Sequence, residues 1–265
     1  MSSAAGSFQG RFGRVALTGA ALTILLALLA LAGLAWAYVG AQDGSMTMST
    51  GTDVRSFAIF LATWVVMMAA MMFPSVAPAV LVYAQYTRQR AGAWPLLAAL
   101  FVAGYLMVWS AVGVGAYVVV ALIVPLIAEV PFVQAAPEVF LGAVIGAGGL
   151  YQLTPLKDKC LGHCRSPLHW LFRGFRPGAT GALRMGIEEG VFCLGCCAGL
   201  MLVLLAIGLA SVGWMAAVAA IIFVEKVLAP TPAVAKAVAV LLMGFGIAVA
   251  TIPTVADFVM GGPPM

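Results

Sequence analysis

Apolar residues run along this chain in long blocks, cut by charge clusters and by Gly/Pro punctuation. The blocks predict seven helices, at about residues 15–39, 56–86, 95–125, 138–155, 186–210, 212–228 and 233–252. Most approach the roughly 20 residues that carry a helix across about 30 Å of hydrocarbon. The second and third exceed that minimum, so they are expected to tilt, to kink at Pro74 and Pro78, or to lie partly in the interface. The fourth and sixth are the weakest, and an even number of spans would require an assignment such as these to fail. A signal peptide is the alternative for the first block, since Ala35-Trp36-Ala37 loosely resembles a cleavage site. Its apolar stretch of about 25 residues exceeds a signal core, which favours a retained helix. Gly142/Gly146 and Gly195/Gly199 stand at small-xxx-small spacing, the signature of close helix packing.

Composition turns this pattern into a fold class. The 265 residues are 64% hydrophobic and 8% charged, with a mean hydropathy of +1.11, where a soluble domain would carry roughly a quarter charged residues. The chain therefore reads as an all-α, polytopic transmembrane helix bundle, and disorder, coiled coil and collagen are excluded. Its formal charge of +4 reports orientation rather than nucleic-acid binding. Of the 13 Lys and Arg, all but Arg55 fall on one side of the predicted spans, which places the N-terminus and residues 156–185 in the cytoplasm. Three regions follow: residues 1–55, a first helix and outer loop; 56–252, the main bundle with its cytoplasmic loop 156–185; and 253–265, a short outer tail.

Chemistry concentrates in VFCLGCCAGLM, where Cys193, Cys196 and Cys197 stand at i, i+3 and i+4 and share one helix face, with Glu189 one turn before them. A single buried Cys is usually a small apolar filler; three on one stripe with a carboxylate resemble the wall of a site. In the second helix Met67, Met68, Met71 and Met72 form two i,i+4 pairs. Thioether and thiolate together select Cu(I) over hard ions, although a methionine stripe by itself is more often flexible core. Zinc fits less well, because closed four-cysteine zinc sites usually draw ligand pairs from loops. Counting about 1.5 Å per residue, the methionines and the cysteines reach overlapping depths, and Glu225 reaches a similar level. A carboxylate there is costly, which makes it a functional candidate. The neighbouring Lys226 is expected to snorkel to the interface, and adjacent helix positions give no reason for the two to pair directly. Met46 and Met48 form an outer Met-x-Met, while Cys160, His163 and Cys164, with His169 nearby, form a cluster in the inner loop. The inner cluster is expected to be a water-accessible handover point.

The segments WVVMMAAMMFPSVAP, YQLTPLKDKCLGHCRSP and GVFCLGCCAGLM, with Glu225-Lys226, resemble the predicted metal-binding integral membrane proteins of domain-of-unknown-function family 2182, over roughly residues 56–245. The resemblance implies a bacterial membrane protein, hence the cytoplasmic membrane, that binds metal. Its motif positions fall on Met67, Met71, Met72, Cys160, Cys164, Cys193, Cys196, Cys197 and Glu225. The leading expectation is a Cu(I)-handling protein that binds, transfers or transports the ion, in contact with lipid and with a metallochaperone or other membrane subunits, and without catalytic residues. A thiol-redox relay between Cys193/Cys196 and Cys160/Cys164, or a scaffolding subunit, are the alternatives.

Overall fold

The computed structural model describes residues 19–41, 54–90, 92–208, 211–228 and 231–260, and among these it is helical with no strand. The helices are α1 (Gly19–Ala41), α2 (Val54–Arg88), α3 (Trp94–Val118), α4 (Val124–Ala128), α5 (Pro131–Ala135), α6 (Pro137–Tyr151), α7 (Pro155–Arg165), α8 (Pro167–Gly174), α9 (Gly178–Ile207), α10 (Val212–Phe223), α11 (Pro232–Thr251) and α12 (Pro253–Met260). A π-helical stretch, Val119–Ile123, joins α3 to α4, and a second, Val224–Leu228, prolongs α10.

Among the described residues five helices are long and apolar enough to cross a membrane: Ala21–Ala41, Arg55–Arg88, Trp94–Ala128, Gly178–Ile207 and Pro232–Thr251. The bent pair α6–α7, with a 60° angle between its halves, would make a sixth. The expected seven is not reached because α6 has 15 residues, which reach only about 22 Å, and because the sixth block is also short, α10 having 12 residues and its π turn 5. Residues 156–185 hold α7, α8 and the first turns of α9, and the C-terminal segment contains α12.

Large apolar side chains cover the outside of the bundle, with Leu126, Leu241 and Phe258 at 70%, 71% and 74% exposure. This is the surface a lipid solvent favours and water does not. Inside, the main core runs from α1 through α2, α3 and α9 to α10.

The α2 helix continues through Pro74 and Pro78. Pro74 has no N–H to offer the carbonyl of Ala70, and Trp36 Nε1 on α1 donates to that oxygen instead, at 3.0 Å. In hydrocarbon a freed carbonyl needs such a replacement. Trp64 Nε1 likewise donates to the Trp109 carbonyl at 2.9 Å, tying α2 to α3.

Glycines set the closest approaches. A Cβ on Gly186 would collide with the Phe101 carbonyl, and one on Gly104 with that of Leu183, so α3 and α9 touch backbone to backbone. Gly142 meets Gly246 and Ala250 on α11, while Gly199 meets Gly148 and Tyr151 on α6.

Candidate metal centre

On α9 the helical repeat turns Cys193, Cys196 and Cys197 to the same interior face, at 0%, 2% and 1% exposure. All five cysteines of the chain are free. The three α9 sulfurs lie within 4.8 Å of one another. A trigonal ion bonded to three sulfurs at about 2.3 Å would hold them about 4 Å apart, so the cluster is near the size such an ion demands. Cys196 and Cys197 each donate a weak hydrogen bond to the carbonyl of Cys193, at 3.0 and 2.9 Å. Cys193 itself faces two polar groups from other helices: Tyr105 Oη at 3.0 Å, on the glycine-tightened α3, and Lys226 Nζ, which donates to its sulfur at 2.9 Å.

Lys226 therefore does not snorkel; it is 7% exposed and points at the thiols. The π turn explains how this comes about. At 3.6 residues per turn adjacent side chains diverge by about 100°, but the wider i→i+5 turn over Val224–Leu228 lets both Glu225 and Lys226 face inward. They do not pair with each other. Glu225 Oε2 accepts from Lys157 Nζ at 2.7 Å, with the two side chains 2% and 0% exposed. Lys157 also donates to Gln152.

Lys157 belongs to α7, which begins at the signals Thr154 and Pro155. The Thr154 side chain accepts from the Lys157 N–H, and Pro155 occupies the first turn, where a missing N–H is harmless. Arg165, at the other end of α7, donates through Nε and Nη2 to the Glu225 carbonyl at 2.9 and 2.7 Å. Both ends of α7 are thus bound to one residue of the π turn.

Pinned this way, α7 brings its own thiols to α9. Cys164 Sγ lies 3.9 Å from Cys196 Sγ. Cys160 is 8% exposed and sits against Gly195, where a Cβ would come within 2.5 Å of its sulfur. The expectation of a water-accessible handover loop is corrected here: Cys160 is buried, Cys164 is half-buried, and both belong to the same interior as the α9 trio. His163 lies flat between Phe192 and Trp170, with ring centroids at 3.7 and 5.4 Å, and its Nε2 is 3.6 Å from Glu189 Oε2. His169 stays exposed.

Met67, Met68, Met71 and Met72 are all buried, within the same apolar core as the five thiols. Met46 and Met48 fall outside the described residues. Of the Glu225 carboxylate, Oε2 is taken by Lys157, while Oε1 is buried without a hydrogen-bond partner. Tyr105, Lys157 and Lys226 are the participants that periodicity did not single out. Only the Thr154-Pro155 helix start, which predicts α7, could have drawn attention to one of them.

Several soft sulfur donors, one cation and one phenol in a dry interior make a site able to hold a soft ion. Comparison with curated proteins gives no match, and neither does comparison with solved structures. A family model described as PpoB2, copper chaperone, does match residues 61–249. That stretch contains all five cysteines, the methionine stripe and the π turn. The sequence-level expectation of a metal-binding membrane family is thereby narrowed to a copper-related one. A buried cysteine cluster inside apolar, membrane-length helices fits a membrane copper-handling protein, and by this match over well more than half its length the chain belongs to the PpoB2 copper chaperone family.

Proposed function

We propose that the protein carries Cu(I) within the membrane on two or three of Cys193, Cys196 and Cys197, with methionines of α2 as neutral auxiliary donors and Cys164 as the thiol through which the ion is exchanged. The observation that carries this reading is the buried trio of free thiols within 4.8 Å of one another. Softness argues for Cu(I) over zinc. Charge argues the same way: a monovalent ion on two thiolates leaves one negative charge, and the Lys226 ammonium at Cys193 brings the sum to zero, as a dry interior favours. Cys164, with its sulfur 3.9 Å from that of Cys196, gives the ion a fourth sulfur to move to. In this reading α7 and α8 face the cytoplasm of a bacterium, where a soluble metallochaperone or a further membrane subunit supplies or receives the ion.

The test is Cu(I) loading of the purified protein under reducing conditions. Sulfur-dominated X-ray absorption is expected, and Cys193→Ser with Cys197→Ser should abolish it. A wild-type protein that takes up no Cu(I) overturns the proposal. Retention of sulfur scatterers after Met67→Leu with Met71→Leu, at an unchanged coordination number, would remove the methionines from the site.

One observation favours a thiol-redox role as a second reading. Cys164 and Cys196 form the cross-helix pair, in place of the pairs expected within each motif. A disulfide needs sulfurs about 2 Å apart, so this pair would have to close by about 2 Å. Trapping of a mixed disulfide with a partner protein would support it.

A further inference from the structure

Between the last turns of α2 and the short helix α8 lies a cavity of about 250 Å³, lined by none of the thiols. Leu168, Leu171 and Phe172 of α8 give it an apolar side, while Gln85, Tyr86 and Arg90 bring polar groups to it. Those groups are short of acceptors. Gln85 Nε2 is buried with no hydrogen-bond partner, and a buried donor left so costs about 1–3 kcal/mol. Arg90 makes no ion pair among the described residues. Its guanidinium is nevertheless held in place: it lies 3.8 Å from the centre of the Tyr86 ring, and that ring packs against Phe172 and Phe175, with centroids at 5.7 and 4.6 Å. One neutral and one charged N–H donor thus line a single cavity, and an oxyanion supplies the acceptor both lack.

The apolar side decides what carries the oxyanion. With 35 residues, α2 runs about 50 Å, more than the roughly 40–45 Å of a bilayer with its headgroups, so its end reaches the headgroup layer. Phe172 is 58% exposed at the rim, and Leu168 and Leu171 continue its apolar wall into the cavity. A free phosphate ion would leave that wall uncovered, whereas a phospholipid uses both sides.

Charge selects among phospholipids. Arg88 and Arg90 are both exposed at this end of α2, so a headgroup with a phosphate and no amine complements them, and a choline headgroup brings a second cation to the same place. We infer that the α2–α8 cavity binds one anionic phospholipid, with its phosphate at Arg90 and Gln85 and an acyl chain along Leu168, Leu171 and Phe172.

The test uses the full-length protein in a neutral detergent, with dioleoyl-phosphatidylglycerol as the probe and dioleoyl-phosphatidylcholine as the control of equal chains. Native mass spectrometry counts the lipid retained. One phosphatidylglycerol should stay bound at collision energies that strip phosphatidylcholine. Arg90→Gln should weaken it about tenfold or more, the worth of one charge-assisted hydrogen bond. Gln85→Leu, which keeps the bulk and removes the donor, should weaken it about threefold or more, in line with a neutral bond. Arg184→Gln removes an equal charge from an exposed position on α9 and should leave the affinity unchanged. Equal retention of the two lipids overturns the inference, as does wild-type affinity in Arg90→Gln. A loss in Arg184→Gln as large as in Arg90→Gln would reduce the binding to general attraction by a basic surface, and refutes the site. Displacement of phosphatidylglycerol by millimolar inorganic phosphate would assign the cavity to the free ion, and equally refutes it. Arg90 is exposed at a helix end, so its replacement leaves the core intact, and a lipid-free thermal midpoint equal to wild type qualifies it as the deciding variant.

Discussion

Replacing Lys157 with Met leaves Glu225 buried without its cation, and the size of the effect follows from the geometry. At 2.7 Å and an effective dielectric of 20, the attraction between unit charges is about 6 kcal/mol before desolvation is counted. Desolvation of both groups offsets much of it, and removing one partner of a buried pair costs about 3–5 kcal/mol because the other charge is stranded. Arg165 still donates to the Glu225 backbone carbonyl, not to its carboxylate. At roughly 2–4 °C per kcal/mol for a chain of this size, the midpoint of thermal unfolding in detergent micelles should fall by about 6–20 °C. The fall should be accompanied by faster alkylation of Cys164, since the ion pair and Arg165 both fix α7 to the π turn. Removing both charges is a different perturbation. Lys157→Met with Glu225→Leu leaves nothing stranded and should recover most of the loss. Tryptophan fluorescence during heating, with maleimide labelling of Cys164 in parallel, reads both effects. A single variant as stable as wild type, or a double variant whose loss equals the sum of the two singles, would show that the pair does not hold α7 in place.

Gly195→Ala should destabilise by about 1–3 kcal/mol, the usual cost of overpacking, because the new Cβ lies 2.5 Å from Cys160 Sγ. Cys160→Gly in the same chain should restore most of the midpoint, and failure of that rescue would refute the contact. Trp36→Phe removes the indole donor to the Ala70 carbonyl and should cost about 1–3 kcal/mol, the penalty of an unsatisfied buried acceptor, measured by the same thermal assay. Lys226→Met removes the cation at Cys193 and should weaken Cu(I) at least tenfold in competition with a chelator, whereas Lys226→Arg should weaken it less. Reporter fusions after residues 90 and 175 should both report the cytoplasm; an outside signal at either would reverse the orientation proposed above.

Two features of this protein were fixed by one-dimensional information. Composition alone demanded a lipid-facing helical fold, because too few polar residues exist to cover a surface in water. The 3.6-residue repeat alone put Cys193, Cys196 and Cys197 on one face and paired the methionines, since both statements concern a single helix and need no partner. The number of spans was less legible, as hydropathy marks an apolar block without saying where a turn such as Thr154-Pro155 ends it. What surrounds the thiols was decided by tertiary structure. Lys157 and Glu225 are 68 positions apart, and a lysine in a polar stretch reads as exposed until a helix folds back and presents it to a buried carboxylate. Lys226 reads as a snorkelling residue until a π turn, which follows from packing rather than from any local preference, rotates it inward. Cys164 reaches Cys196 only because Gly195 lets α7 lie close against α9. Periodicity describes how one helix presents its faces, whereas a site of this kind arises from which faces of different helices meet, and that depends on the free energy of the whole packed bundle.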